Sequence, residues 1–382
     1  MRIGLFTDAY LPEISGVTSA VHWLREELER LGHTTYIYAP RYDRPMDRPR
    51  TFRFRSGPVF SYKTARMALP YNRAAVRSLR DLDIVHSHTP FSLAYVAMVA
   101  AHHYGIPHIQ TYHTYLSALR HYVPRPIRPP VKAAEAYSAL MCNRATAVTV
   151  PTESIRDELK RYGVRTPIYV VPFGPPLSLY RHPAVWSPRE ALGLPGRAQI
   201  CLYTGRLSEE KNLSFLLRAF ARIRLFDSRA VLVIAGDGPL RSRLEEEAEK
   251  LDLKRVVRFT GFLDRPLLVD LYKSADLFLF SSKAETQGLA IVEAMAGGTP
   301  AVAVAALGVS DVIMDGLSGV LVPEDEDAFA RAALELLGDE ERYRRLSRGA
   351  LAEAERMSVC NSARRLIEIY EEALAGRLIS TR

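Results

Sequence analysis

Cysteine is scarce in this chain. Three occur in 382 residues, Cys142, Cys201 and Cys360, at no metal-ligand spacing. Their scarcity excludes a disulfide-stapled scaffold and predicts a reducing, cytoplasmic setting. Long apolar runs are missing as well. The longest, Leu93 to Ala101, falls far short of the roughly 20 residues a spanning helix needs. Met1-Arg2 leads into a short apolar stretch that meets Asp8 at once, which predicts no signal peptide. Nothing repeats at a solenoid period, and no segment is of low complexity. What remains is an ordinary globular composition, 48% hydrophobic and 25% charged, with length enough for two domains. The expectation is a soluble protein that does not cross a membrane.

Acidic residues are also unevenly distributed. The chain carries a formal net charge of +8, yet residues 1–180 hold 23 Lys and Arg against 13 Asp and Glu. The remainder holds 28 against 30, so the excess basicity belongs wholly to the first half. It peaks between Arg44 and Arg80, where ten basic residues face one acid, Asp47. Phe52, Phe54, Phe60, Tyr62 and Tyr71 are interleaved with them. Such a stretch suits a polyanion, either nucleic acid or an anionic lipid surface, with Arg66, Arg73, Arg77 and Arg80 as the candidate contacts. A solvated loop and helix face would read the same way.

Periodicity predicts an α/β chain in two halves. Residues 2–7 form a short apolar strand, Thr18 to Leu31 places Val21, Leu24, Leu28 and Leu31 at helical spacing, and Thr35 to Ala39 is a second strand. That β-α-β unit implies a right-handed crossover and a parallel sheet. Further strands are predicted at Asp83–Ser87, His108–Thr111, Ala147–Val150 and Ile168–Val171. A second series starts at Gln199 and runs through Ala230–Ala235, Val256–Thr260, Leu277–Phe280, Ala301–Ala303 and Gly319–Val322. Between the two lies Pro172-Phe-Gly-Pro-Pro, followed by Pro183, Pro188 and Pro195, a density that marks an interdomain connection. Two doubly wound domains are expected, residues 1–175 and 176–360. A last helix, 361–382, is expected to pack back on the first. Ligands of such sheets bind beyond the C-terminal ends of the strands, here in a cleft between the domains.

Three motifs fall on loops expected to face that cleft. Ile14-Ser-Gly-Val17 puts Gly16 between a strand and a helix, where backbone N–H groups can approach an anion; a tight β-α turn asks for the same glycine. Gly205-Arg-Leu-Ser-Glu-Glu-Lys-Asn212 puts Arg206 and Lys211 in one loop that opens a helix, a pair suited to a diphosphate. The alternative is a solvated loop whose cations pair with Glu209 and Glu210. Glu285-Thr-Gln-Gly-Leu-Ala-Ile-Val-Glu293, followed by Ala-Met-Ala-Gly-Gly-Thr-Pro300, separates two carboxylates by a helix start at Gly288. Each carboxylate can accept two hydrogen bonds from paired hydroxyls, so one suits a sugar and the other a ribose.

These stretches, with Gly236-Asp-Gly-Pro239, resemble the nucleotide-sugar domain of retaining glycosyltransferases of the GT-B fold, family 4. The segment Met1 to Thr18, His86-Ser-His-Thr-Pro-Phe-Ser-Leu93, and Gln110-Thr-Tyr-His-Thr-Tyr115 with His121-Tyr122 are similar to bacterial diacylglycerol glucosyltransferases. The resemblance covers essentially the whole chain. It implies that Arg206 and Lys211 grip the donor diphosphate, with Gly236 and Gly238 in the same donor site. Glu293 would hold the ribose, and Glu285 with the backbone of Gly288 and Leu289 the donor sugar. Gly16 would touch the phosphate from the other domain. His113 would sit beside the anomeric carbon, unless it is a core histidine satisfied by its threonine neighbours, and Tyr115 would lie toward the acceptor.

The implied activity is transfer of a hexose, glucose from UDP-glucose, to a lipid such as 1,2-diacylglycerol, by an enzyme held peripherally on the inner face of the cell membrane. Phosphatidylinositol, a polyprenol, a polysaccharide or a soluble acceptor would be alternatives; a nucleic-acid partner is not expected. Two departures from the family pattern bear on this. The connection lacks the apolar-Asp pair usual after Pro-x-Gly, and Leu-Ser-Ala follows Tyr115 where lipid-acting relatives often carry acids. No Asp-x-Asp element in plausible metal context is present, so no metal or other cofactor is expected. No carboxylate is obviously placed as a nucleophile, which favours same-face displacement and leaves a covalent intermediate open.

Overall fold

The computed structural model describes residues 1–43, 47–59, 62–69 and 71–378. Arg44 and Phe60 of the basic stretch lie outside them. The chain divides into two compact units, Met1–Phe173 with Val359–Arg382, and Gly174–Ser358.

Among the described residues the first unit holds nine strands: β1 Arg2–Phe6, β2 Thr34–Pro40, β3 Thr51–Phe54, β4 Ser56–Val59, β5 Tyr62–Ala68, β6 Ile84–Ser87, β7 His108–Thr111, β8 Ala147–Val150 and β9 Ile168–Val170. Seven form one sheet in the order β3-β2-β1-β6-β7-β8-β9, with every pairing parallel. Strands covered on both faces read as near-continuous apolar runs, and Ile3, Leu5, Ile37, Ile84 and Ile109 are fully buried. Each such side chain contributes roughly 1.5–3 kcal/mol of burial. Helix Gly16–Arg30 covers one face with Val21, Leu24 and Leu28, and the Ser15 hydroxyl caps it by accepting from the Thr18 N–H. Helix Val359–Leu374 returns from the far end of the sequence and adds Leu366, Ile369 and Tyr370 to the same core.

The basic stretch proves more structured than a loop followed by a helix. β3 extends the sheet at its edge, β4 and β5 form an antiparallel hairpin, and a helix, Arg73–Leu79, follows with Asn72 as its cap. Arg53 is consumed by this arrangement. Its guanidinium pairs with Asp47 at 2.7 Å and donates to the carbonyls of Pro40 and Leu11.

The second unit holds β10 Gln199–Thr204, β11 Ala230–Ala235, β12 Val257–Gly261, β13 Leu277–Phe280, β14 Ala301–Val304 and β15 Gly319–Val322. They form a parallel sheet in the order β12-β11-β10-β13-β14-β15. In both units the chain starts in the middle of its sheet and reverses direction once. Those switch points, β1/β6 and β10/β13, are where an open parallel sheet leaves room for a ligand. No helix among the described residues is long and apolar enough to cross a membrane.

Candidate active site

At the β10/β13 switch point the predicted residues converge. β10 ends at Thr204, and Gly205 turns the chain at φ 147, a conformation that L side chains rarely adopt. Arg206 follows, then a short 3-10 turn, Glu209–Lys211, then Asn212 in the left-handed region opening helix Leu213–Phe226. The loop is held from two sides. The hydroxyls of Ser281 and Ser282, just past β13, donate to the carbonyls of Lys211 at 2.8 Å and Glu210 at 3.1 Å. Gly236 and Gly238 pass against its backbone so closely that a Cβ on either would lie 1.9 Å from the Gly205 carbonyl oxygen or 2.4 Å from that of Leu207. Both glycines therefore serve the fit of the loop that carries Arg206.

Lys211 reaches a partner far along the chain. Its Nζ lies 2.5 Å from Glu285 Oε1, across 74 residues, while Glu210 accepts from Ser208. Glu285 precedes Gly288, whose φ of 84 turns the chain into helix Leu289–Ala296. Glu293 lies on that helix, 6% exposed. It accepts from Arg265 at 2.6 Å and from the Tyr272 hydroxyl at 2.7 Å, and Tyr272 in turn meets Thr204 at 2.5 Å. Burial first, and the Glu293 charge second, push the Tyr272 phenol well above its usual range, so it stays a donor. Arg265 and Tyr272 were not predicted: no local spacing marks residues that meet Glu293 only where helix Arg265–Ser274 packs beside helix Leu289–Ala296. Each carboxylate oxygen has a second lone pair, so both glutamates retain capacity for a ligand hydroxyl.

The first unit carries its own set at β1/β6. Gly16 is the first residue of its helix and is exposed. A Cβ there would meet nothing within 4 Å, and its φ demands no glycine. Neither packing nor backbone geometry accounts for glycine at this helix start. His113, just past β7, is half-buried, and desolvation pushes its imidazole down to about 3, so it is neutral. Tyr115 is half-buried in the following loop. Arg73, Arg77 and Arg80 are exposed, whereas Arg66 donates to the hydroxyl and carbonyl of Ser56 across the hairpin.

A residue that carried no sequence signal holds this end of the sheet together. Asp8, past β1, accepts from the hydroxyls of Thr89 and Ser92 and from the Leu93 N–H at the start of helix Ser92–Tyr104. Burial outweighs these bonds and raises its carboxyl to about 6. As pH climbs from 4 to 6 the unfolded chain ionises here while the native state keeps its proton, so the native state loses stability with rising pH. Asp8→Asn abolishes that titration. Relative to wild type, the variant should gain about 1.5 kcal/mol between pH 5 and 7.5, the linkage expected for this shift. Urea midpoints at the two pH values measure it, and a constant difference would show an ordinary carboxyl.

Comparison with known proteins identifies the family and the fold. Residues 14–178 match the model of glycosyltransferase family 4, and residues 185–352 that of glycosyl transferases group 1. The alpha-monoglucosyldiacylglycerol synthase of Streptococcus pneumoniae is 34% identical over 349 residues, 88% of this chain and 78% of the relative. Among solved structures, a sucrose-phosphate synthase from Thermosynechococcus elongatus superposes with a TM-score of 0.80 at 22% identity, covering 98% of this chain and 99% of the other. The Anabaena protein HepE, solved with UDP-glucose, superposes at 0.77 and 20% identity, covering 97% and 100%. The fold is thus GT-B, and the chain belongs to glycosyltransferase family 4.

Proposed function

We propose that this hexosyltransferase moves glucose from UDP-glucose to 1,2-diacylglycerol at a membrane surface, with retention of configuration and without a metal. The observation that carries the reading is the 34% identity to a glucosyldiacylglycerol synthase through both units, the acceptor-side unit included. Arg206 and Lys211 would face the donor diphosphate, Glu285 with Gly288 and Leu289 the sugar, and Glu293 the ribose. Gly236 and Gly238 would set the Arg206 loop in place. Gly16, where the helix start is open, would let backbone N–H groups reach the phosphate, and His113 would lie beside the reacting carbon. Tyr115 would lie toward the acceptor.

In the reaction the bond from the anomeric carbon to the leaving phosphate oxygen breaks, with oxocarbenium character on the sugar. The acceptor hydroxyl oxygen bonds that carbon from the same face, and its proton passes to the departing phosphate. Negative charge grows on the phosphate during this step, and fixed cations meet it where a divalent ion otherwise would. A scan of nucleotide-sugars against detergent-dispersed diacylglycerol, read by mass spectrometry, tests the assignment. UDP-glucose should yield monoglucosyl lipid. Product with only a soluble acceptor would overturn the lipid assignment.

The two glutamates should separate kinetically. Ribose contacts are equal in ground and transition states, so Glu293→Gln should raise the donor KM about 10–100-fold, the range for a hydrogen bond to a charged group, with kcat kept. Glutamine retains an acceptor for Tyr272 and avoids a cavity. Contacts to the reacting sugar tighten as it flattens, so Glu285→Gln should lower kcat with donor saturating. Two variants that raised only KM would remove Glu285 from the sugar.

A further inference from the structure

At the C-terminal ends of β6 and β7 the structure packs three imidazoles against one another. His86 uses both ring nitrogens: Nδ1 meets the Tyr370 hydroxyl at 2.6 Å, and Nε2 meets Thr111 Oγ1 at 2.6 Å. His88, two residues on and so on the same side of the strand, lies against it with ring centroids 4.1 Å apart. His88 is fully buried, and its backbone N–H is fixed to the Phe6 carbonyl at 2.8 Å. Its Nδ1 lies 3.1 Å from His113 Nε2, whereas its own Nε2 is buried with no hydrogen-bond partner among the described residues. His113 leans on Phe173 on another side, centroids 5.0 Å apart.

One proton joins the His88–His113 pair, and the orphan nitrogen decides which ring owns it. Were His113 Nε2–H the donor, neutral His88 would carry its proton on Nε2, a buried N–H with nothing to bind. Were His88 Nδ1–H the donor, only a bare lone pair is left there. Orphaned buried donors are the rarer defect in folded proteins. Burial, reinforced by the neighbouring imidazoles, keeps His88 neutral, so no second proton relieves the choice.

We propose that His88 is a positioning residue for His113: its Nδ1–H donates to His113 Nε2, holding that ring in one orientation and in the Nδ1–H tautomer. His113 Nε2 is then engaged as an acceptor, and this nitrogen does not take a proton from the acceptor hydroxyl during transfer. The inference rests on the reading that places His113 beside the reacting carbon, and it deepens that reading by naming what sets its ring.

Nitrogen-15 NMR of protein labelled at histidine tests this directly, with the His113 ring assigned by its loss in His113→Gln. In wild type, His113 should show Nε2 as the unprotonated nitrogen and Nδ1 as the protonated one; the opposite pattern overturns the proposal without any His88 variant. His88→Asn puts an amide N–H near the place of Nδ1–H. It should keep the tautomer and hold kcat within a few-fold. His88→Phe fills the stack without a donor. It should release His113 Nε2 to a protonated or mixed form and lower kcat about 10–100-fold at little change in donor KM. An unchanged tautomer and kcat in His88→Phe would also overturn the proposal. If His113→Gln itself turns over normally, the placement of His113 fails instead, whatever its tautomer.

Discussion

Replacing Arg206 or Lys211 by alanine should each lower turnover by roughly 10²–10³, the scale of losing one preorganised donor to transition-state charge. The loop that presents them is held independently of their side chains. Ser281 and Ser282 bind the carbonyls of Lys211 and Glu210, and Gly236 and Gly238 fit against Gly205 and Leu207. Removing either cation therefore leaves the backbone in place, and the loss should be electrostatic. Lys211 carries a further consequence through its 2.5 Å pair with Glu285. Without the ammonium, that carboxylate would face the proposed diphosphate site as a negative charge that has lost this partner. Lys211→Ala should accordingly be the more damaging of the two, and Lys211→Arg should recover part of the rate. Steady-state rates at saturating donor, with and without EDTA, decide it. The proposed metal-free scheme predicts that the chelator leaves wild type unchanged. Inhibition by EDTA that magnesium or manganese restores would overturn the metal-free scheme, and alanine variants within threefold of wild type would remove both residues from the transition state.

What could be read from the sequence follows from where the physics is local. Buried parallel strands announce themselves as short aliphatic runs, and β7, β8, β11, β13 and β15 begin and end where those runs do. The segments carrying Arg206, Lys211, Glu285 and Glu293 stood out because glycines interrupt apolar runs beside charged residues. The edge strand β3 and the antiparallel pair β4 and β5 were not legible. Their order comes from β2 and from the Arg53 bonds to Leu11 and Pro40, partners that lie outside the stretch itself, and Gly57-Pro58 with the interspersed arginines breaks the aliphatic run that marks the other strands. The partners of the site residues were hidden for the same reason. Arg265 meets Glu293 from 28 residues away, Asp8 meets Ser92 from 84, and Tyr370 meets His86 from 284. Only the topology of each sheet brings these together, and no spacing in the chain encodes them.

The same redistribution of roles sharpens the expected membrane contact. Of the basic residues between Arg48 and Arg80, several serve the fold. Arg48 pairs with Glu26, Arg50 with Glu29, Arg53 with Asp47, and Arg66 bonds Ser56. Arg73, Arg77 and Arg80 remain exposed at spacings of four and three, on one face of helix Arg73–Leu79 and its C-cap. Exposed apolar side chains accompany them: Met67, Leu69, Val76 and Tyr71, the last 72% accessible. Cations beside exposed apolar groups suit an anionic bilayer, the first through surface potential and the second through shallow burial. Each arginine near such a leaflet contributes about 1 kcal/mol, so three supply about 3 kcal/mol, roughly 150-fold in partition. The chain should pellet with phosphatidylglycerol vesicles at low salt, release at high salt, and bind neutral phosphatidylcholine weakly. Changing Arg73, Arg77 and Arg80 together to glutamate should lower vesicle binding by at least that factor. Donor affinity should not change, because none of the three arginines is among the residues proposed to hold the donor. Co-sedimentation of wild type and the triple variant at two salt concentrations measures it. Equal pelleting would exclude this helix as the docking element, whereas lost binding with intact turnover on detergent-dispersed lipid would assign it to membrane capture rather than to chemistry.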